Sequence, residues 1–207
     1  MTIPPPYEAT AEAADDARRF RAIDVLKDGT RVTLRAVTAE DRERIVRAFN
    51  CLERETIYAR FFAFKESLTN AELDLIAGFD FVDDVMLVAT IGEGEHETII
   101  GAGSYNARYA PDRRRVAEVA FVVEEDYQGL GIARRLLEHL ACIARESGVT
   151  QFDAEVLARN RPMLSVFHSS GLPMRQRLDG STVHVSLDLT SRGDGAAIDS
   201  AAAATRT

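Results

Sequence analysis

Apolar positions along this chain recur with a period of two in some stretches and with a helical period in others. Residues 30–37, "TRVTLRAV", have strand composition. In "TAEDRERIVRAFNCL", Thr38 is followed three residues later by Asp41, the spacing of a capping box with Asp in place of Glu or Gln, which predicts a helix directly after. A second helical stretch, "ERETIYARFFAF", precedes "SLTNAELDLIAGF", where Thr69 or Asn70 caps a short helix ending at Gly78. The period then changes. Residues 85–91, 97–107 and 115–123 are rich in β-branched and apolar residues, and predict three adjacent antiparallel strands with "GEGEH" as a hairpin connection.

Beyond residue 123 the chain turns through "DYQGLGIA" into an apolar stripe at helical spacing, Ile132, Leu136, Leu140 and Ile143, joined by Ala133, Leu137 and Ala144. Gly148 sits where a helix C-terminal glycine belongs. "TQFDAEVLA" reads as a further strand, "NRPMLSVFHSSG" as a helix with Asn160 at its cap, and "MRQRLDGSTVHVSLDL" as two strands joined by an Asp-Gly turn. The resulting string, β-α-α-β-β-β-α-β-α-β-β, is a three-layer α/β pattern without internal repeat. Both ends contain little to bury. A mobile segment is therefore expected over 1–22, a folded domain over 23–190 and a disordered tail over 191–207, and a chain trimmed to 22–190 is expected to melt close to the full one.

Charge and composition then exclude several classes of function. The 25 basic against 33 acidic residues, net -8, argue against nucleic acid as a partner. No run approaches the roughly 20 apolar residues that cross a bilayer, and the N-terminus lacks the apolar core of a secretory signal. A soluble cytoplasmic protein with no membrane partner is the expectation. Cys51 and Cys142 show no metal or redox spacing and read as two buried thiols, and His96, His139, His168 and His184 show no paired ligand spacing, so no metal is expected.

Candidate chemistry concentrates in the glycine turn. Gly129 and Gly131 let the backbone approach a ligand closely, and the helix start behind them offers free N–H groups to an anion such as a pyrophosphate. The plainer alternative is a simple strand-to-helix turn. Arg134 occupies the third glycine position of a dinucleotide fingerprint, and the Gly-Lys-Ser/Thr of a P-loop is missing. The spacing of Gln128, Gly131 and Ala133 resembles the acetyl-CoA pyrophosphate loop of the GCN5-related N-acetyltransferases (GNAT), and the likeness extends roughly over residues 30–190. It implies a single three-layer GNAT fold, α/β, with a mixed central sheet of about seven strands flanked by about four helices. It further implies acetyl-CoA as cosubstrate without a metal. Backbone groups of Phe121, Val122 and Val123 would pair with the pantetheine arm. Gln128, Gly129, Leu130, Gly131, Ile132 and Ala133 would cradle the pyrophosphate, with Arg134 adding charge and Asn160 completing the cofactor-binding set. One departure stands out: many members carry a Tyr as general acid where this chain has Phe167, and His168 is turned about 100° away along a helix.

Direct acyl transfer to an amine needs a proton acceptor, because a lysine amine has a pKa of about 10.4. Glu118, inside an apolar strand, and Glu155, on the next strand, are the candidate catalytic carboxylates, and a buried setting is expected to raise the carboxyl of Glu118. Salt-bridged or solvent-facing strand positions are the plainer readings of both. The runs Asp83–Asp84 and Glu124–Glu125–Asp126 read as solvated loops that would also welcome a cationic acceptor. Tyr58, Phe61 and Phe62 read as core. "LERETIYARFF" and "SLTNAEL" further resemble the acetyltransferase domain of bacterial Pat-type protein-lysine acetyltransferases. That likeness implies Glu118 as base and a protein lysine, such as one on an AMP-forming acyl-CoA synthetase, as acceptor in a ternary complex, on a stand-alone catalytic domain. A small-molecule amine acetyltransferase and a non-catalytic acyl-CoA-binding module stay open as alternatives.

Overall fold

The period-two segments assemble into one eight-stranded sheet, in the order β1 (Arg21–Val25), β2 (Arg31–Ala36), β3 (Asp84–Ile91), β4 (Thr98–Tyr109), β5 (Arg115–Val123), β6 (Gln151–Leu157), β8 (Thr182–Asp188) and β7 (Met174–Asp179). The structure, a computed structural model, describes residues 11–191. Neighbouring strands run antiparallel except β5 and β6, which are parallel and paired only from Val116 to Glu118 against Gln151 to Asp153. Beyond those three pairs the two strands part, while β5 stays paired to β4 as far as Val123. A wedge-shaped split therefore opens in the middle of the sheet.

Six helices cover it: α1 (Ala11–Arg18), α2 (Arg42–Cys51), α3 (Arg54–Phe61), α4 (Asn70–Ala77), α5 (Ile132–Glu146) and α6 (Arg161–His168). The predicted stripe buries α5 through Ile132, Leu136, Leu137, Leu140 and Ile143. Gly103 of β4 lets that helix approach, since a Cβ there would lie 3.0 Å from Leu140 and 2.9 Å from Phe121. On the other face, α2, α3 and α4 cover the part of β3–β5 that includes Met86, Ala120 and Val122. The capping boxes at Thr38–Asp41 and Thr69–Glu72 both form, the first opening a 3₁₀ turn that runs into α2.

Among the described residues, eight strands and six helices fit the approximate counts, and the surplus lies in α1, β1 and the division of the stretch from 38 to 78 into three helices. The boundary expected between 22 and 23 falls inside β1. Residues 11–22 dock on the domain: Ala14 and Ala17 are buried, Phe20 lies 4.9 Å from the His139 ring of α5, and Arg18 donates to the Asp80 carbonyl at 2.7 Å. The period-two signal of β1 is weak because Ile23 and Val25 face outward on an edge strand. A chain starting at Ala22 is therefore expected to melt clearly below the full chain, by roughly 4–8 °C if the lost contacts are worth about 2 kcal/mol; equal melting curves would contradict this docking. The expected C-terminal tail lies, from residue 192, outside the described residues.

Three further expectations are corrected. Cys51 and Cys142 are exposed, since each falls on the outer side of its helix. Phe62, in the left-handed region at φ 54°, is 38 % exposed, and Tyr58 and Phe61 are only half-buried, because α3 ends over the split rather than deep in a layer. Asp83 is no free loop charge: it accepts from the buried Arg115 guanidinium at 2.5 Å, which also donates to the Ser147 and Val82 carbonyls. Among the described residues no helix is long and apolar enough to cross a membrane, and no cluster of His, Cys, Asp or Glu is arranged to hold a metal ion.

Candidate active site

The split between β5 and β6 is the root of a cleft of about 860 Å³. Its walls include Phe121, Val122 and Val123 of β5 and Glu155 and Leu157 of β6, with α3 above and the start of α5 at one end. The β5 backbone on this side meets no strand after Glu118, so its polar groups face the cleft, where an extended ligand can pair with them as a missing strand would. Gln128, Gly129, Gly131, Ile132, Ala133, Arg134 and Asn160 also line it.

The glycine turn leaves its backbone amides open to the cleft. Gly129 and Gly131 take φ values of 76° and 103°, which side chains avoid, and Gly131 stands at the N-cap of α5 without any side-chain cap. None of the backbone N–H groups from Gly129 to Arg134 donates to an acceptor among the described residues. Open space surrounds both glycines: a Cβ at Gly129 meets nothing within 4 Å, and one at Gly131 only the Lys27 side chain, at 4.0 Å. Free amides, a helix N-terminus and open room in front of them match a pyrophosphate.

Individual side chains divide in how they serve this cradle. Gln128 folds back, donating from Nε2 to the Val123 carbonyl at 3.0 Å, with Thr56 Oγ1 at 3.4 Å, so it pins the loop to the strand. Leu130 turns into the core and does not line the cleft, although its carbonyl accepts from the Lys27 amide at 3.3 Å. Arg134 pairs with Glu138 at 2.9 Å while bordering the cleft. Asn160 accepts from the Met163 amide at 3.2 Å and so caps α6. Sequence reasoning missed Lys27, whose Nζ donates to the Gly129 carbonyl at 3.1 Å and places a cation beside the cradle; it is 102 positions away from that glycine, and no local pattern marks it.

The carboxylates differ from expectation. Glu118 is not buried: its side chain is 63 % exposed, with Arg108 Nη1 at 4.0 Å. Alternation along β5 puts it on the face of α2–α4, but those helices cover only the part of the strand beyond it. It is the last paired residue before the split and borders the cleft without lining it. Glu155 lines the cleft and lies 3.3 Å from His184 Nδ1, its register partner on β8. Arg60, also missed, lines both this cleft and the apolar groove under α2–α4. Burial pulls its guanidinium below the ordinary value, and the nearby Glu118 opposes that shift. Phe167 is buried, packs edge-on to Phe121 with centroids 6.1 Å apart and lines the cleft, while its neighbour His168 is exposed.

Residues 52–172 match the Acetyltransferase (GNAT) family. The chain belongs to this family. Among curated proteins this GNAT chain is 30 % identical over 160 residues to Acetyltransferase PA5475 of Pseudomonas aeruginosa, covering 77 % of this chain and 84 % of that one. It is 33 % identical over 140 residues to Acetyltransferase Pat of Mycolicibacterium smegmatis, covering 67 % of this chain and only 40 % of the longer relative. The GNAT domain of S. lividans PAT superposes with a TM-score of 0.73 at 34 % identity, over 86 % of this chain and 98 % of that domain. At 21 % identity and a TM-score of 0.61, covering 82 % of this chain and 98 % of that one, YncA of Salmonella typhimurium, solved with its cofactor acetyl-CoA, shares the fold.

Proposed function

We propose that this protein transfers an acetyl group from acetyl-CoA to a primary amine, the ε-amine of a protein lysine, by direct attack in a ternary complex. The observation that carries this reading is the pairing of the strand split with the free-amide cradle at one end of the same cleft. The Pat relatives support a protein acceptor. Phe121 to Val123 bind the pantetheine arm along the open edge of β5, and the turn from Gln128 to Ala133, with Lys27, holds the pyrophosphate.

The acceptor ammonium loses one proton to Glu118, directly or through one water, and the neutral nitrogen attacks the thioester carbonyl; the tetrahedral intermediate gives its second N–H proton to water as the C–S bond breaks and CoA leaves as the thiolate. Thiols ionise near pH 8.5. With the Phe167 ring offering no proton, water protonates the departing sulfur. Mass-balanced assay of CoA release over a panel of small amines and folded acyl-CoA synthetases, with mass spectrometry of the products, tests the reading. Acetylated lysine on a protein is the expected product, and turnover of small amines alone would assign a small-molecule enzyme.

Gly131→Glu is expected to weaken acetyl-CoA binding at least tenfold, the equivalent of about 1.4 kcal/mol. The substitution strains a residue at φ 103° and sends a carboxylate toward the amides that would meet phosphate. Calorimetry showing a folded variant with wild-type affinity would remove the phosphate assignment.

A further inference from the structure

The acetyl-transfer reading leaves two proton steps to water: removal of the second proton from nitrogen and protonation of the departing sulfur. One carboxylate stands at the level where both occur. Glu118 and Asp153 form the last register pair of the β5–β6 junction; the same register, continued across the split, sets Glu155 opposite Ala120 and on the face of the sheet that carries Glu118. The pantetheine arm proposed for Phe121 to Val123 runs from the glycine turn toward Ala120, so the thioester falls at this level, between the two strands.

The carboxylates on this face of β6 are held differently. Asp153 is engaged, accepting from Ser186 Oγ at 2.6 Å and from Gln151 Nε2 at 2.7 Å. Glu155 has Oε1 3.3 Å from Nδ1 of His184, its register partner on β8, and the other ring nitrogen of His184 lies 3.8 Å from Asp179 Oδ2. A carboxylate at each nitrogen fixes the orientation of the imidazole, and the ring in turn steadies one oxygen of Glu155. The Glu155 side chain is 54 % exposed, so water reaches it in the cleft that it lines.

We propose that Glu155, oriented by His184, is the proton shuttle of the transfer step. The water beside it takes the second N–H proton of the tetrahedral intermediate and passes a proton to the Glu155 carboxylate. As the C–S bond breaks, the carboxylic acid returns that proton through the same water to the sulfur, so CoA is released as the thiol and Glu155 is a carboxylate again. Glu118 gives the first proton to solvent. The shuttle performs the acid step for which the Phe167 ring has no proton, and His184 acts on it as a positioning residue. The proposal rests on the acetyl-transfer reading.

The test uses the full chain, acetyl-CoA and a folded AMP-forming acyl-CoA synthetase as acceptor, or whichever amine of the CoA-release panel the wild type turns over. Glu155→Ala is expected to lower kcat at least tenfold, within the span of general acid–base contributions, with acetyl-CoA affinity by calorimetry within about twofold of wild type. Formate, added at fixed pH and ionic strength, should raise kcat of the Ala variant severalfold and leave the wild type unchanged, which a merely structural loss would not show. His184→Phe should lower kcat in the same direction but less, and His184→Asn, which keeps an N–H near the Nδ1 position, should recover most of that loss. If the Ala variant does not fold, Glu155→Gln, of unchanged size, carries the kcat measurement. A kcat within about twofold of wild type in the Glu155 variants would overturn the proposal while leaving the transfer reading intact. So would a loss confined to acetyl-CoA affinity, or an Ala variant that formate does not rescue. A wild type that releases no CoA with any amine would instead sink the transfer reading, and the shuttle with it.

Discussion

Glu118→Gln is expected to lower kcat by about 10²–10⁴-fold, the range of general-base contributions, with acetyl-CoA affinity within about twofold of wild type. The residue ends the three-pair junction of β5 and β6, next in the chain to the strand edge proposed to hold the thioester. Its 63 % exposure means that water reaches it, and a relayed proton needs only one such water between amine and carboxylate. Gln keeps the size of the side chain and its contact with Arg108 but accepts no proton. The measurement is a pH–rate profile of both proteins at saturating acetyl-CoA with the true acceptor. The Gln variant should be slower at every pH of that profile, and an unchanged kcat would move the search for the first proton acceptor to Glu155, 3.3 Å from His184.

Arg35→Met is expected to destabilise the fold by about 3–5 kcal/mol, because it strips the cation from a buried pair and leaves the charges behind. Arg35 of β2 forks onto Asp41 at 2.6 and 2.7 Å and onto Glu97 at 2.9 and 3.1 Å, and Asp41 is fully buried. Arg44, at 3.4 and 3.7 Å from these carboxylates, is too distant to replace it. In a domain of this size the melting point should fall by roughly 6–20 °C.

The pH dependence carries a definite sign. Burial pushes the Asp41 carboxyl up, but hydrogen bonds from Arg35 and Thr38 outweigh it and hold the group below the ordinary range; for Glu97 the hydrogen bonds from Arg35 lead the downward shift. The stability these two contribute is therefore present above the ordinary carboxylate pKa of about 4 and lost as pH falls through the depressed values. The deficit of the Met variant should be full at neutral pH and shrink on acidification. A constant deficit from pH 7 down to pH 3 would show that packing, and not charge, holds this corner.

Features set by neighbours in the chain were legible in the sequence. The stripe of α5, the boxes at Thr38–Asp41 and Thr69–Glu72 and the glycine turn depend on residues within one or two helical turns, so their spacing alone determines them. The glycine turn carried the family likeness for the same reason. Even there the sequence left roles open: of the two side chains placed by resemblance with the cofactor, Gln128 donates to the Val123 carbonyl and Asn160 accepts from the Met163 amide.

What tertiary structure decided was which faces are covered and which distant charges meet. Alternation along β5 says that Glu118 and Glu124 share a face, but not that helices stop short of the first and close over the second, leaving one exposed and the other half-buried in a groove. The Asp41 of a predicted capping box became the buried end of an ion pair only because β2 brought Arg35 under it. Lys27 reached the glycine turn across 102 positions of chain. The split itself follows from the register of two parallel strands that meet for only three residues, and register is a property of the folded sheet, where long-range packing chooses among pairings that local periodicity leaves equal.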